Sequence, residues 1–362
     1  MSFRLNALLI GLAFALAPLQ SLAAPAAAPP APMQPAAPPS ARPAALPAGA
    51  AAQDPLPSWR EGPTKQALLQ FVQRVAGAGS AEAVPPAERI AVFDNDGTLW
   101  SEQPFYFPFQ FCADRIRAMP SPPPAWRTQE PYASALRGDV PALVRQGNGA
   151  LGTLLLGCSA GLSPEAHAAE VKRWLATARH PRTGRPYDAM VFQPMVELLR
   201  LLRASGFRTY IVSAADREFM LPWTEAAYGI PPEQVIGSQL KLSYVKPPQG
   251  PPSMLRLPQA EPRIDGPGKA TIIHQIIGRR PLLAFGNADI DRQMLEWTKA
   301  GAGPRLAGLI HHTDARREWA YDRLAPIGRL SVTLDQARAE GWLVVDMARD
   351  WLRIYPGEPP AR

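Results

Sequence analysis

The chain reads as an α/β protein, a Rossmann-like doubly wound parallel sheet with a helical segment inserted after its first strand. Three observations lead there. Short apolar runs rich in β-branched and aromatic residues recur at 90–93, 207–214, 281–285 and 306–310, and the run at 90–93 breaks abruptly into acids and a Gly-containing turn, as a buried parallel strand does. Helical apolar spacing fills most of the intervals between these runs. One long interval, residues 101–188, has helical patterns and no strand-like alternation.

The chain has 362 residues, 46% of them hydrophobic, which is enough for one large or two modest domains. Arg4 precedes an apolar run from Ala7 to about Leu19, followed by Ser21-Leu22-Ala23-Ala24. That order reads as a secretory signal peptide, residues 1–23, with cleavage expected after Ala23. The run is shorter than a spanning helix needs, so the expectation is a periplasmic or secreted protein with no stable membrane insertion after cleavage; an uncleaved anchor is the alternative. Residues 24–57 are almost entirely Ala, Pro, Gln and Ser and hold 11 of the chain's 43 prolines, so they are expected to be a disordered linker. The net charge is a modest +7 with no dense Lys/Arg block, which argues against a nucleic-acid partner and is compatible with an anionic substrate. In an oxidising compartment the two cysteines, Cys112 and Cys158, are candidates for a disulfide, and the sequence leaves the pairing open. It carries no signal for oligomeric state.

The folded part begins with an expected helix over 64–75, its apolar residues at helical spacing and Thr64 a candidate N-cap. The next run, Ile90 to Phe93, ends in Asp94-Asn95-Asp96-Gly97-Thr98-Leu99. In open α/β sheets ligands bind beyond the carboxyl ends of the strands, where these two acids fall. Two carboxylates on one loop repel unless a cation lies between them, which points to a hard metal such as Mg²⁺; solvated turn acids are the plainer alternative. The string Asp-x-Asp-Gly-Thr-Leu after a strand resembles motif I of the haloacid dehalogenase (HAD) superfamily. In that family the first Asp is a nucleophile, and the second is a general acid/base found in the phosphatase branches.

After this motif, helical patterns fall near 110–119, 133–144, 149–156 and 164–178, the last with Ser163 as N-cap. HAD proteins are similar in carrying a helical cap inserted just after motif I. Phe105-Tyr106-Phe107-Pro108-Phe109-Gln110-Phe111 reads mainly as packing between cap and core, with a substrate-pocket lining as the alternative. Glu102 stands at nearly the distance from motif I at which the phosphoserine-phosphatase-like branch has an acid for the substrate's ammonium group; a solvated loop acid competes with that.

The α/β rhythm resumes with an expected helix over 195–202, a Gly turn, and the strand 207–214 carrying Ser213, followed by a helix started by Asp216. Ser213 resembles the motif II hydroxyl that hydrogen-bonds a phosphoryl oxygen. Residues 236–264 read as a hairpin with a long loop. Lys269 opens an amphipathic helix and resembles the motif III lysine, a cation that would hold Asp94 ionised and offset phosphoryl charge; the alternative is a lysine snorkelling on the helix surface. The strand at 281–285 leads into Gly286-Asn287-Ala288-Asp289-Ile290-Asp291, which resembles motif IV but has Asn287 where the family has a metal-ligating Asp. A neutral amide removes one charge from a Mg²⁺ site, and Asp289 or Asp291 is expected to compensate. His311 and His312 follow a strand at 306–310 and should point in opposite directions; the sequence leaves their role open, with a place for one of them at the edge of the site as the lesser reading. A last edge strand at 343–345 precedes a closing helix containing Trp351.

The resemblance spans about residues 88–350 and implies an α/β core at 58–100 and 189–362, with a helical cap at 101–188. It implies a Mg²⁺-dependent phosphatase acting on small phosphomonoesters through an aspartyl-phosphate: Asp94 the nucleophile, Asp96 the acid/base, Ser213 and Lys269 on the phosphoryl oxygens, Glu102 on the leaving group. The implied Mg²⁺ ligands are Asp94, the Asp96 carbonyl, Asn287 and Asp291. Asp96 sets the chain apart from the dehalogenases, whose pattern lacks it. A catalytically weak binding protein of the cell envelope is the alternative.

Overall fold

The computed structural model describes residues 54–261 and 263–360. The expected signal peptide and most of the linker lie outside the described residues. The linker's last residues do not: Leu56 is fully buried, and Lys65 Nζ donates to the Asp54 carboxylate at 2.6 Å. The packed chain therefore starts a few residues before position 58.

Six parallel strands form the central sheet: β1 (Ile90–Phe93), β2 (Arg208–Asp216), β3 (Val235–Ser238), β6 (Leu283–Gly286), β7 (Leu306–His311) and β8 (Leu343–Asp346). Their order is β3-β2-β1-β6-β7-β8, so the chain leaves from the centre in both directions and β8 closes one edge. β4 (Leu240–Val245) and β5 (Ser253–Ala260) make a separate antiparallel hairpin, as the 236–264 pattern suggests.

β1 shows why its residues are uniformly apolar. Its side chains alternate between two layers, and both layers are covered. Ala91 and Phe93 face a core with α1 (Pro63–Ala76), α6 (Gln193–Ala204) and the helical insertion, while Ile90 and Val92 face α9 (Pro267–Ile272), α10 (Arg292–Lys299) and α11 (Val332–Ala339). Fully burying a side chain such as Phe93 contributes roughly 1.5–3 kcal/mol. Among the described residues no helix is long and apolar enough to cross a membrane.

The stretch between β1 and α6 holds α2 (Phe107–Arg117), α3 (Tyr132–Arg137), α4 (Val140–Ser159) and α5 (Pro164–Thr177) and no strand. The expected helix over 133–144 is divided because Gly138 takes a left-handed φ of 70°, ending α3, and Asp139 caps α4 through the Ala142 N–H. The pattern at 149–156 belongs to that same α4, kinked at Gly147. Ser163 caps α5 as expected. Cys112 on α2 and Cys158 on α4 form a disulfide, which ties the two helices together.

Two terminal assignments differ from the sequence reading. Pro63, not Thr64, opens α1, and the Thr64 hydroxyl instead donates to Asp350 at 2.9 Å. Trp351 lies just past the closing helix α12 (Met347–Asp350) and packs edge-on against Trp59.

Candidate active site

Asp94 follows β1 directly, and its N–H still donates to the Phe285 carbonyl, so the ladder carries it to the rim of the sheet. The chain then turns sharply: the Thr98 and Leu99 N–H groups both donate to the Asn95 carbonyl, and Gly97 takes a φ of 73°. The turn leaves the Asp94 and Asp96 side chains lining one cavity of about 380 Å³. Trp100 Nε1 donates to Asp96 Oδ1 at 2.7 Å and fixes that carboxylate.

Lys269 is fully buried, not snorkelling. Its ammonium lies 2.6 Å from Asp94 Oδ1 and 2.6 Å from Asp291 Oδ1. Burial alone would depress its pKa, but Asp291 and Asp94 more than offset this and hold it charged. Asp291 Oδ2 accepts the Asn287 and Ala288 N–H groups, at 2.9 and 3.0 Å. Both oxygens of Asp291 thus accept from protein donors, and the carboxylate holds Lys269 and the loop after β6. Gly286 makes this possible, since a Cβ there would sit 2.5 Å from that of Asp291. Asp289 is elsewhere, its Oδ1 accepting the Ser331 and Thr333 N–H groups beside α11.

Ser213 lies within β2, which runs three residues further to Asp216, and it lines the cavity with the two motif I acids. Asp216 caps the following helix, α7 (Arg217–Met220), and forms a buried cluster with Arg256 of β5 at 2.8 Å and His167 of α5 at 3.5 Å.

Asn287 and Glu102 meet. Asn287 Nδ2 donates to Glu102 Oε1 at 2.7 Å, and Asn287 Oδ1 accepts the Thr98 hydroxyl at 3.0 Å. Glu102 is also buried and takes a second hydrogen bond from the Tyr321 hydroxyl at 2.7 Å. It lines the same cavity and is no solvated loop acid. Tyr321 stacks on His312, whose Nε2 donates to the Gly97 carbonyl at 2.8 Å and whose Nδ1 lies 3.0 Å from Glu318. His312 therefore props the motif I turn from behind, while His311 on the other face reaches Asp322. Tyr321 and Glu318 carried no sequence signal, because each lies more than 200 residues from the loop it supports.

Four carboxylates, Asp94, Asp96, Glu102 and Asp291, are buried around one ammonium, which pairs with Asp94 and Asp291. Burial, then the Asp291 charge, raises Asp94 to about 7 against the pull of Lys269. Burial raises Asp96 to about 6 against the Trp100 hydrogen bond, and drives Glu102 well above the usual carboxylate range. Such a site lacks positive charge. Among the described residues no three His, Cys, Asp or Glu side chains converge as a metal cluster, so a cation here needs carbonyl oxygens beside the carboxylates. An all-oxygen set from Asp94, the Asp96 carbonyl and Asn287 Oδ1 has the hard-donor character that suits Mg²⁺.

The rest of the cavity is mostly apolar. Tyr106, Phe109, Leu151 and Leu155 come from the insertion, and Leu240 and Ile290 from the core side. The aromatic string after motif I thus does both things: Phe105, Phe107 and Phe111 are packed inside, while Tyr106 and Phe109 reach the cavity.

A sequence model of the haloacid dehalogenase-like hydrolases matches residues 91–296, from β1 through α10. The chain belongs to that family. The match includes Asp94, Ser213, Lys269 and Asp291, the residues converging here. No curated protein matches the chain. Among solved structures, this HAD-family chain is similar to a conserved functionally unknown protein from Anaerococcus prevotii, at 15% identity and a TM-score of 0.50, over 76% of this chain and 88% of that one. It also resembles a protein of unknown function from Bordetella pertussis, at 20% identity and TM-score 0.45, over 72% and 99% of the two chains. A probable phosphoserine phosphatase from Vibrio cholerae aligns at 14% identity and TM-score 0.34, over 64% and 58%. At 15% identity the likeness to the Anaerococcus prevotii protein concerns the fold alone.

Proposed function

We propose that this HAD hydrolase is an exported, Mg²⁺-dependent phosphatase of small phosphomonoesters. The observation that carries the reading is Asp94 and Asp96 on one cavity wall, with the buried Lys269 ammonium 2.6 Å from Asp94. On this reading Asp94 attacks, Asp96 serves the departing group, and the Lys269 ammonium offsets charge on both the nucleophile and the phosphoryl oxygens.

In the first step an Asp94 oxygen bonds to phosphorus while the ester P–O bond breaks, and Asp96 gives its proton to the departing oxygen. The raised pKa of Asp96, about 6, supports that role, because an ordinary Asp would seldom hold a proton near neutrality. In the second step a water oxygen bonds to phosphorus, its proton goes to Asp96, and the Asp94–phosphorus linkage breaks to release phosphate. Lys269 and the Ser213 hydroxyl hold the phosphoryl oxygens through both. A Mg²⁺ held by Asp94, the Asp96 carbonyl and Asn287 would neutralise charge between the enzyme and its substrate.

The apolar cavity wall supports a substrate whose organic part is hydrophobic, small enough for about 380 Å³. The leader-like residues 1–23 and the Cys112–Cys158 disulfide support export to an oxidising compartment. The test is release of phosphate from an aryl phosphate by the mature chain, with and without Mg²⁺, beside Asp94→Asn. Metal-dependent turnover lost in the variant is expected. Equal turnover by both proteins would overturn the proposal, and no turnover by either would favour a binding protein.

A further inference from the structure

The motif IV position of this chain is Asn287, and both neighbouring acids are engaged by protein donors. Asp291 is committed to Lys269 and two backbone N–H groups, and Asp289 to the N–H groups beside α11. The carboxylate that touches the Asn287 side chain lies 185 residues earlier in the chain. Glu102 and Asn287 are each 1% exposed and joined by a 2.7 Å hydrogen bond.

The chain is shaped around this pair. A Cβ at Gly97 would fall 2.0 Å from Asn287 Nδ2 and 2.4 Å from Glu102 Oε1, and one at Gly328 would fall 2.0 Å from Glu102 Oε1. Both glycines have positive φ, 73° and 66°, so two separate turns bring bare backbone against the same two side chains. Among the described residues no Lys, Arg or His lies within ion-pair distance of Glu102, and its two donors, Asn287 and Tyr321, are neutral. A buried carboxylate with only neutral donors is costly unless a cation comes close.

We propose that Glu102 and Asn287 work as one cation-holding unit, in which the Glu102 carboxylate, bonded to the Asn287 amide, supplies to a divalent cation at the Asp94–Asp96 loop the negative charge that asparagine lacks. The inference rests on the Mg²⁺-dependent reading above. Its physics is that of an outer-shell partner. A carboxylate accepting from Nδ2–H polarises the amide, making Oδ1 more negative and fixing its orientation. The Thr98 hydroxyl, which now donates to Oδ1, can rotate away and leave that oxygen free. Glu102 is thus a positioning residue for the cation site, with both of its donors on Oε1.

The experiment is calorimetric titration of the full chain with Mg²⁺, without substrate, for wild type, Glu102→Gln, Asn287→Asp and the double variant, with circular dichroism to confirm folding. Glu102→Gln keeps an acceptor for Asn287 and Tyr321 but removes the charge, and should weaken Mg²⁺ binding about 10- to 100-fold. Moving the charge, in Asn287→Asp with Glu102→Gln, should return affinity toward wild type. Asn287→Asp alone sets two carboxylates in contact, so its melting temperature without metal should fall and its gain on adding Mg²⁺ should exceed that of wild type. A folded Glu102→Gln protein with wild-type Mg²⁺ affinity overturns the inference, as does a double variant no tighter than Glu102→Gln. A selective rise in KM for amine-bearing phosphomonoesters at unchanged Mg²⁺ affinity would also overturn it, making Glu102 a substrate contact. Aryl phosphate turnover measured alongside separates the two claims. Wild type that binds Mg²⁺ through this pair without turnover removes the phosphatase reading alone. Turnover with Glu102-independent Mg²⁺ binding removes the inference alone.

Discussion

Trp100→Phe should move the alkaline limb of the pH–rate profile upward. Trp100 Nε1 donates to Asp96 Oδ1 at 2.7 Å, a bond that favours the ionised carboxylate and lowers a pKa that burial has raised to about 6. A hydrogen bond to a charged group contributes about 1.5–3 kcal/mol, and one pKa unit corresponds to about 1.4 kcal/mol. Removing it should therefore raise the Asp96 pKa by about one to two units. The sign follows from the role: Asp96 must carry a proton to protonate the leaving oxygen, so activity falls as pH rises through its pKa. The higher pKa of the variant shifts that fall to higher pH. The assay is kcat/KM against pH for an alkyl phosphate, whose leaving group needs a proton, beside a nitrophenyl phosphate, which needs one less. The limb should move for the first and move less for the second. Trp100 is also stacked on Trp223 at 4.2 Å and on Phe107 edge-on, so a loss of roughly 1–3 kcal/mol of stability is expected, and profiles must be taken below the melting transition. A limb that stays in place, or moves to lower pH, would refute Asp96 as the acid.

Other changes have definite expected outcomes. Lys269→Met leaves Asp94 and Asp291 buried without their common cation, and should cost about 3–5 kcal/mol in chemical denaturation and at least about 100-fold in turnover. Burial pushes Asp216 up, but its bonds to His167 and Arg256 bring its pKa below the usual carboxylate value; that stability is present above about pH 4 and lost as pH falls through the lowered pKa. The gap in melting temperature between wild type and Arg256→Ala should accordingly narrow as pH drops below about 4. Gly97→Ala, at a φ of 73° and with a Cβ 2.0 Å from Asn287 Nδ2, should weaken Mg²⁺ binding in calorimetry while the far-UV spectrum stays native. Paired Cys112→Ser and Cys158→Ser changes should lower stability by about 2–4 kcal/mol, read by urea titration.

The sheet was legible because its evidence is local. Ile90–Phe93 and Leu306–His311 are buried on both faces and so are almost uniformly apolar, and the acids after β1 and β6 follow their strands directly. Lys269 was legible through its place in the first turn of an amphipathic helix. Helix boundaries in the insertion were harder, since the apolar period at 133–144 continues across a glycine whose left-handed φ ends α3. The least legible part was the support of the site. Asp291 was expected on the metal, yet its neighbours are a lysine 22 residues away and two backbone N–H groups, and no spacing rule distinguishes a ligand from a lysine clamp. Glu102 meets Asn287 across 185 residues and Tyr321 across 219, contacts that only the folded chain defines.

The central claim, that Asp94 is a nucleophile and not only a metal ligand, is tested most directly by trapping. The mature protein would be mixed with a phosphate-labelled aryl ester and Mg²⁺, quenched in acid within one turnover, and mapped by peptide mass spectrometry. The account predicts an acid-stable, hydroxylamine-labile phosphoryl group on the peptide containing Asp94, absent in Asp94→Asn. Turnover by wild type with no label on Asp94, or with label on another residue, would contradict it.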